Sequence, residues 1–546
     1  MSTRKQSFVL GAVWLMASNI IVKLLGAVFK IPLRNLVGVE SMAYFNSAYS
    51  FYVLFYMIST AGLPVAISRM VASANARGNS GEVKRIFKVS MAMFVAIGTV
   101  GTAAMVIFSK AFARSTGIGE DLYLSIIAIA PTLFFICITS SYRGYFQGLQ
   151  NMIPTSVSQV IEAVGKLFIG LIAGYVAMKA GCSSAEVAAY VILGITIGVI
   201  ANTLYLAIAK AVPLNNQLNC DLAAVPRSRG QISAELIKIA IPITISSSIM
   251  SLTNVIDTMV VVNRLVDIGI ANDLAVAYYG SYTSSAVTLF NMPPTLIYPF
   301  AISAIPALSA SFANKDYAKS KATVESTFRI ASLIALPCAL GMSALSKPII
   351  DLLFRDEDIG FMADGGIITS NGVSGPMLSI LAIAIFFMGI ISVTNSILQA
   401  YGREMTTIIS TCSGIVTKFI TAYVFIGIPK IGVYGIPLST ALCYIVIMIC
   451  NIFFMVRYTG IVPGIRKIFL KPFVASVLCA GGALGAHLLL EMTPFAGKLS
   501  TIISILVAVI IYVLAILLVK GLDREDVEML PGGRKISSVL IKHNLI

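Results

Sequence analysis

Histidine is almost missing from this chain. Only His487 and His543 occur in 546 residues. Two distant imidazoles cannot build a metal centre or a Ser/His/Asp hydrolytic set. The eight cysteines are scattered, most of them inside apolar runs, and no CxxC pair occurs. That spacing argues against a disulfide framework and a zinc site. There is no GxxxxGK[ST] run, so no nucleotide-hydrolysing loop drives the chain directly. Charge is scarce too. Charged residues make up 12% and hydrophobic residues 58%, whereas a soluble domain is about a quarter charged. Such a chain cannot clothe a surface in water. Its solvent is a bilayer.

Spanning helices need roughly 20 apolar residues each, and about fourteen such runs can be counted. Their approximate cores are 8–33, 42–68, 86–108, 122–144, 153–178, 186–209, 234–263, 276–309, 323–345, 375–400, 405–428, 432–456, 470–490 and 499–519. The first run exceeds a signal-peptide core and reads as a retained helix. The run 276–309 is too long for one straight span, and Pro293, Pro294, Pro299 and Pro306 imply kinks in it.

The net charge of +15 sits in short loops between apolar runs, which indicates membrane orientation and not nucleic-acid binding. Arg4 and Lys5, then Arg69, Arg77, Lys84 and Arg85, then Lys210, Arg227 and Arg229, and the basic tail all fall on one side if every run spans. The loop 346–374 on the other side is acidic. Positive-inside bias therefore puts both termini in the cytoplasm.

An internal repeat organises these runs. The stretch SYRGYFQGLQNMIPTSVSQVIEAVGKLF at 141–168 has a faded copy, VTNSILQAYGREMTTIISTCSGIVTKFI, at 393–420. Gln147 and Gln399 stand 252 residues apart, as do Thr155 and Thr407, Ser158 and Ser410, Val164 and Val416, and Lys166 and Lys418. Further upstream, Leu54, Phe55 and Met57 match Leu289, Phe290 and Met292 at a spacing of 235. Six helices per copy is an even number, so the copies share orientation and imply a pseudo-two-fold axis along the membrane normal. The expected fold is an all-α integral membrane protein. It has a six-helix bundle over 1–210, a cytoplasmic linker over 211–232 and a second six-helix bundle over 233–457. Two additional helices follow over 458–520, then a cytoplasmic tail over 521–546.

Charge inside the membrane is expensive and points to function. Lys23 lies mid-run in the first helix, and Lys30 and Arg34 follow on the same face. Lys23 reads as a cavity cation suited to an anionic substrate, while Lys30 and Arg34 either share that role or snorkel to the outer interface. Glu162 and Lys166 are spaced i, i+4 with the acid first. Either they neutralise each other, or Lys166 faces the cavity with Glu162 tuning it. Lys418 has Gly414 where Glu162 would stand, which makes it the stronger substrate contact. Asp257, with Asn254 one turn away, either couples a sodium ion or proton or pairs with a basic residue elsewhere. Tyr44, Phe45, Tyr49, Phe51 and Tyr52 read as an interfacial aromatic belt.

The run RGYFQGLQNMIPTSVSQVIE from Arg143 to Glu162, with KLLGAVFKIPL from Lys23 to Leu33 and the tail motif LPGGRK, resembles the polysaccharide-biosynthesis flippases related to the stage V sporulation protein B group. These belong to the multidrug/oligosaccharidyl-lipid/polysaccharide exporter superfamily. The resemblance covers nearly the whole chain. It implies no enzymatic step, but alternating access that carries a polyprenyl-pyrophosphate glycan, with lipid II leading, from the inner to the outer leaflet. It implies that basic residues of the first helix line the cavity, Lys23 directly and Lys30 beside it, and that the chain lies in a bacterial plasma membrane. Arg34, Lys166 and Lys418 are further expected substrate contacts, and Glu162 and Arg143 are expected in structural or pairing roles. Where a Gram-negative branch of that family has a second basic residue, this chain has Phe29, and the charge stands at Lys30. The expected partners are a lipid-linked anionic glycan and membrane lipid, with no nucleic acid and a monomeric chain. No cofactor is expected beyond a coupling sodium ion or proton.

Overall fold

The computed structural model describes residues 8–212, 227–361, 366–464, 466–494 and 497–519. Its contacts divide the chain into two compact units, Met1–Asn263 and Arg264–Ile546.

The first unit holds eight helices: α1 (Phe8–Thr60), α2 (Leu63–Ala76), α3 (Ser80–Ile107), α4 (Ser109–Thr116), α5 (Leu122–Gly148), α6 (Ile153–Lys179), α7 (Ser184–Ala211) and nearly all of α8 (Arg229–Asp267). Local signals set their ends. Pro154 opens α6, where a missing N–H costs nothing. Asn79 accepts from the Glu82 backbone at 2.8 Å to cap α3, and Ser183 with Glu186 forms a capping box on α7. The helices 8–33 and 42–68 expected from the sequence are both present as the two legs of α1, which meet directly at a kink where Gly38 takes the non-helical φ 80°, ψ 174°. Only glycine adopts that backbone readily, so a single residue makes the bend and no loop is needed.

Helices α6 and α7 meet through glycines. A Cβ on Gly165 would lie 2.7 Å from the Gly198 Cα, and one on Gly194 would strike the Gly170 backbone. Small residues let backbones approach where no hydrophobic driving force separates helix from lipid. Hydroxyls join α5 to α7: Thr132 to Thr196 at 2.7 Å and, two turns on, Thr139 to Thr203 at 2.8 Å. The unit boundary differs from the sequence expectation of a divide at 211–232. The first part of α8 packs on the first unit, where the Ala240 backbone abuts Gly62 at the start of α2.

The second unit contains α9 (Asn272–Ser281), a π-helical turn over Tyr282–Ala286, α10 (Val287–Phe290), α11 (Met292–Ala313), α12 (Tyr317–Ala344), α13 (Ser346–Leu353), α14 (Ser370–Ala400), α15 (Glu404–Ile426), α16 (Gly435–Thr459), α17 (Lys471–Glu491) and α18 (Lys498–Leu518). A two-stranded antiparallel hairpin, β1 (Asp358–Phe361) with β2 (Ile367–Thr369), precedes α14. The break expected in 276–309 falls at the π-turn and at Asn291, before Pro293 and Pro294, which start α11. Pro299 and Pro306 lie inside the continuous α11.

Both units use one neighbour order. In the first, α6 packs on α7, α7 on α5, and α5 on α3 and α2; in the second, α15 packs on α16, α16 on α14, and α14 on α12 and α11. This is the internal repeat expressed as packing. The additional helices α17 and α18 pack on each other, and α17 packs on α12. The Tyr512 hydroxyl of α18 donates to the Leu333 carbonyl of α12 at 2.7 Å.

The described residues contain twelve helices long and apolar enough to cross a membrane. The expected count was about fourteen. The first two expected spans meet at the Gly38 kink without a loop, and the expected span at 276–309 comprises α9, the π-turn, α10 and the 22-residue α11. The architecture is that of an all-α integral membrane protein.

Candidate functional site

A cavity of about 260 Å³ opens within the first unit, lined by Phe29, Tyr49, Arg143, Gln159, Glu162 and Lys166 among others. Each wall follows from local packing. Gly170 lacks a side chain where the Phe29 ring of α1 crosses α6, since a Cβ there would lie 3.1 Å from the ring. That brings Phe29 beside Lys166, one turn back along α6. On the far side of the Gly38 bend, α1 carries a ladder of rings. Phe45 stacks on Tyr49 with centroids 6.0 Å apart, and Tyr49 meets Tyr52 at 5.7 Å.

The Lys166 ammonium lies over two of these rings, 5.1 Å from the Phe29 centroid and 4.9 Å from that of Tyr49. A ring face attracts a cation at this range by about 0.5–1 kcal/mol, and by about 2 kcal/mol when desolvated. Glu162, one turn before Lys166, turns elsewhere. Its Oε2 accepts from Arg143 Nη2 at 2.8 Å and from Asn202 Nδ2 at 3.1 Å. Arg143 Nε donates to Ser158 Oγ at 3.1 Å, and Ser158 donates to the Thr155 carbonyl at 2.7 Å. Helices α5, α6 and α7 thus converge on one carboxylate. Ser18 of α1 donates to Gln159 at 3.1 Å beside this network.

The other candidates distribute unevenly. Helix α1 carries Lys23, but its side chain lies outside the described residues, as do most of the linker and the tail. Lys30 is half-buried. Arg34 is completely buried, so it neither snorkels to an interface nor faces an open cavity as expected; its length of α1 is sunk in the first unit's core. Lys418 is buried at 3% exposure in α15, within the second unit. Asp257 is buried and Asn254, one turn before it on α8, is exposed. Among the described residues no three His, Cys, Asp or Glu side chains gather to hold a metal. The aromatic belt is corrected as well: Phe45, Phe51 and Tyr52 are buried in the first unit, and Tyr49 and Tyr52 line the cavity.

Two features escaped sequence reasoning. Asn202 completes the carboxylate's shell; its faint signal was Asn451, 249 residues on. A second network closes one end of the first unit. Glu82 is buried and accepts from Arg77 at 3.1 Å, Asn79 at 3.1 Å and Arg227 at 2.6 Å. Arg227 also pairs with Glu235, and Arg85 donates to the Arg227 carbonyl at 2.9 Å. Charges that the sequence offered only as orientation signals therefore tie the start of α8 to α3.

A polar, cationic cavity inside an all-helical membrane unit can now be set beside known proteins. Residues 8–312, more than half of the chain, match the family model described as polysaccharide biosynthesis protein. The chain belongs to that family. Proteins of known name are similar to it over most of their length. Stage V sporulation protein B of Bacillus subtilis is 26% identical over 437 residues, covering 80% of this chain and 81% of that protein. The lipid II flippase MurJ of the same organism is 25% identical over 457 residues, covering 80% of each. The solved structure of the lipid II flippase MurJ in an inward closed conformation superposes with a TM-score of 0.64 at 16% identity, covering 92% of this chain and 98% of that one. That likeness in fold extends over nearly the whole chain.

Proposed function

We propose that this protein is a flippase that moves a polyprenyl-pyrophosphate-linked glycan, most naturally lipid II, from the inner to the outer leaflet by alternating access. The observation that carries the reading is Lys166, a cation lining a membrane cavity with no carboxylate in ion-pair distance among the described residues. A glycan–pyrophosphate head is large, polar and anionic, and hydrocarbon excludes it. A basic cavity replaces its water while the isoprenoid tail stays in lipid. Ring faces hold an ammonium loosely, and a pyrophosphate oxygen offers a stronger, charge-assisted partner. Lys23, Lys30 and Lys418 are proposed to extend the positive field, and Asp257 to couple transport to a sodium ion or proton. The similarity to proteins named as flippases supports the same reading.

One observation favours a second reading. Glu162 lines the same cavity with 31% of its side chain exposed, and a carboxylate there suits a cationic drug. A cation-coupled multidrug exporter of the same superfamily is the alternative.

The test is leaflet accessibility of lipid II in cells that keep this protein as their sole flippase. Depletion is expected to lower outer-leaflet lipid II. Unchanged lipid II with loss of another polyprenyl glycan would reassign the substrate, and no change in any lipid-linked glycan would end the flippase reading.

A further inference from the structure

We infer that Arg143 is a positioning residue that sets the sign of the cavity: by engaging Glu162 it leaves the Lys166 ammonium available to a ligand. The ligand class, an isoprenyl pyrophosphate, rests on the function proposed above.

Taken alone, α6 would pair Glu162 with Lys166. The spacing is i, i+4 with the acid first, the favourable order. In the folded unit that pair is not made. Arg143 and Asn202 both donate to Glu162 Oε2, at 2.8 and 3.1 Å. Arg143 is itself largely buried, with 13% of its side chain exposed, and Ser158 fixes its Nε. A guanidinium anchored in this way is pre-organised for a carboxylate, whereas a lysine must lose chain freedom to reach it. The lysine settles on Phe29 and Tyr49 instead.

The repeat supplies an internal control. At the same spacing of 252 residues, Asn395 stands for Arg143, Gly414 for Glu162 and Lys418 for Lys166. Acid and arginine are absent together, and the lysine stays. There Asn451, the counterpart of Asn202, donates to Asn395 at 2.8 Å and to Thr394 at 3.2 Å. An arginine whose task is to occupy Glu162 has no task where the glutamate is gone. An arginine needed for its own contact to substrate has no reason to vanish with the acid.

The charges make the consequence definite. Arginine, glutamate and lysine together leave the cavity positive. Loss of the arginine leaves it neutral and frees Glu162 to take Lys166. Loss of both Arg143 and Glu162 restores the positive charge.

The experiment uses the full chain in lipid nanodiscs with two probes, farnesyl pyrophosphate and tetraphenylphosphonium. Arg143→Gln is expected to weaken the pyrophosphate about tenfold and to strengthen the phosphonium. The double variant Arg143→Gln/Glu162→Gln is expected to return both affinities to within about threefold of the parent. Glu162→Gln alone keeps the guanidinium and is expected to tighten the pyrophosphate, which keeps the idea testable if Arg143→Gln does not fold. Equal weakening in the single and double variants would mean that Arg143 meets the ligand itself, and would overturn the inference; so would parental affinity in Arg143→Gln. If the parent protein does not bind the pyrophosphate, the proposed function fails. The role of Arg143 is then decided by the phosphonium: a gain in Arg143→Gln that the double variant reverses upholds it, and no gain refutes it.

Discussion

A lysine inside a membrane protein keeps its charge by pairing with an acid, reaching water, or lying on aromatic faces. Lys166 takes the third course between Phe29 and Tyr49. The hold is weak, so the residue is separable from stability. Lys166→Gln is expected to reduce transport of the proposed lipid-linked glycan about tenfold or more and to shift the thermal midpoint in detergent little, since only about 0.5–2 kcal/mol of ring contact is lost. Unfolding of that variant in place of inactivation would assign Lys166 to structure. Glu82 is the contrasting case. It is buried and serves as acceptor for Arg77, Asn79 and Arg227. Glu82→Ala is expected to destabilise the first unit by about 1–3 kcal/mol, because it strands the buried Asn79 amide and the partly buried Arg227, while the exposed Arg77 returns to water. Thermal unfolding measures this directly, and a loss under about 1 kcal/mol would show the network to be solvated.

At the scale of elements, two glycines carry the architecture around the cavity. Gly38 bends α1 with a backbone that side chains rarely adopt. Gly38→Ala is expected to cost about 1–3 kcal/mol, or else to straighten α1 and part the Phe45–Tyr49 rings from Phe29. Gly194 sits where a Cβ would enter the Gly170 backbone. Gly194→Val is expected to force α6 from α7, costing about 1–3 kcal/mol of overpacking and lowering transport, because α6 carries both Glu162 and Lys166. Thermal melts on both variants, with transport on the survivors, check the pair. Most helices themselves were legible: the run 153–178 became Ile153–Lys179, and 122–144 became Leu122–Gly148. The α1 bend was not, because a hydropathy window sees polar residues at 34–41 and reads a loop. The choice of a bend belongs to Gly38 and to α6 and α7 packed against the helix.

For the whole molecule, charge placement predicts orientation. Lys84 on α3 and Asp358 on β1 should face opposite sides, with Lys84 cytoplasmic. Cysteines placed at these positions, in a background with Cys412 and the other native thiols replaced, should label differently with an impermeant thiol reagent. Asp358→Cys is expected to react in intact cells, and Lys84→Cys only after permeabilisation. Labelling of both from outside would reverse or void the assignment.

Apolar length, loop charge and the 252-residue repeat already determined an all-helical membrane protein with two similarly built parts, since all three are local or periodic properties of the chain. Buried charge and the repeat also brought Glu162, Lys166 and Lys418 forward. What they left open was which partner Glu162 takes, because Lys166 is near in sequence while Arg143 and Asn202 lie 19 and 40 residues away. Tertiary packing decided this by bringing α5 and α7 onto α6 through threonines and glycines. It likewise buried Arg34, turned an expected aromatic belt into a cavity wall, and gave the first part of α8 to the first unit. Each outcome depends on what stands opposite a residue, which no reading along one helix contains.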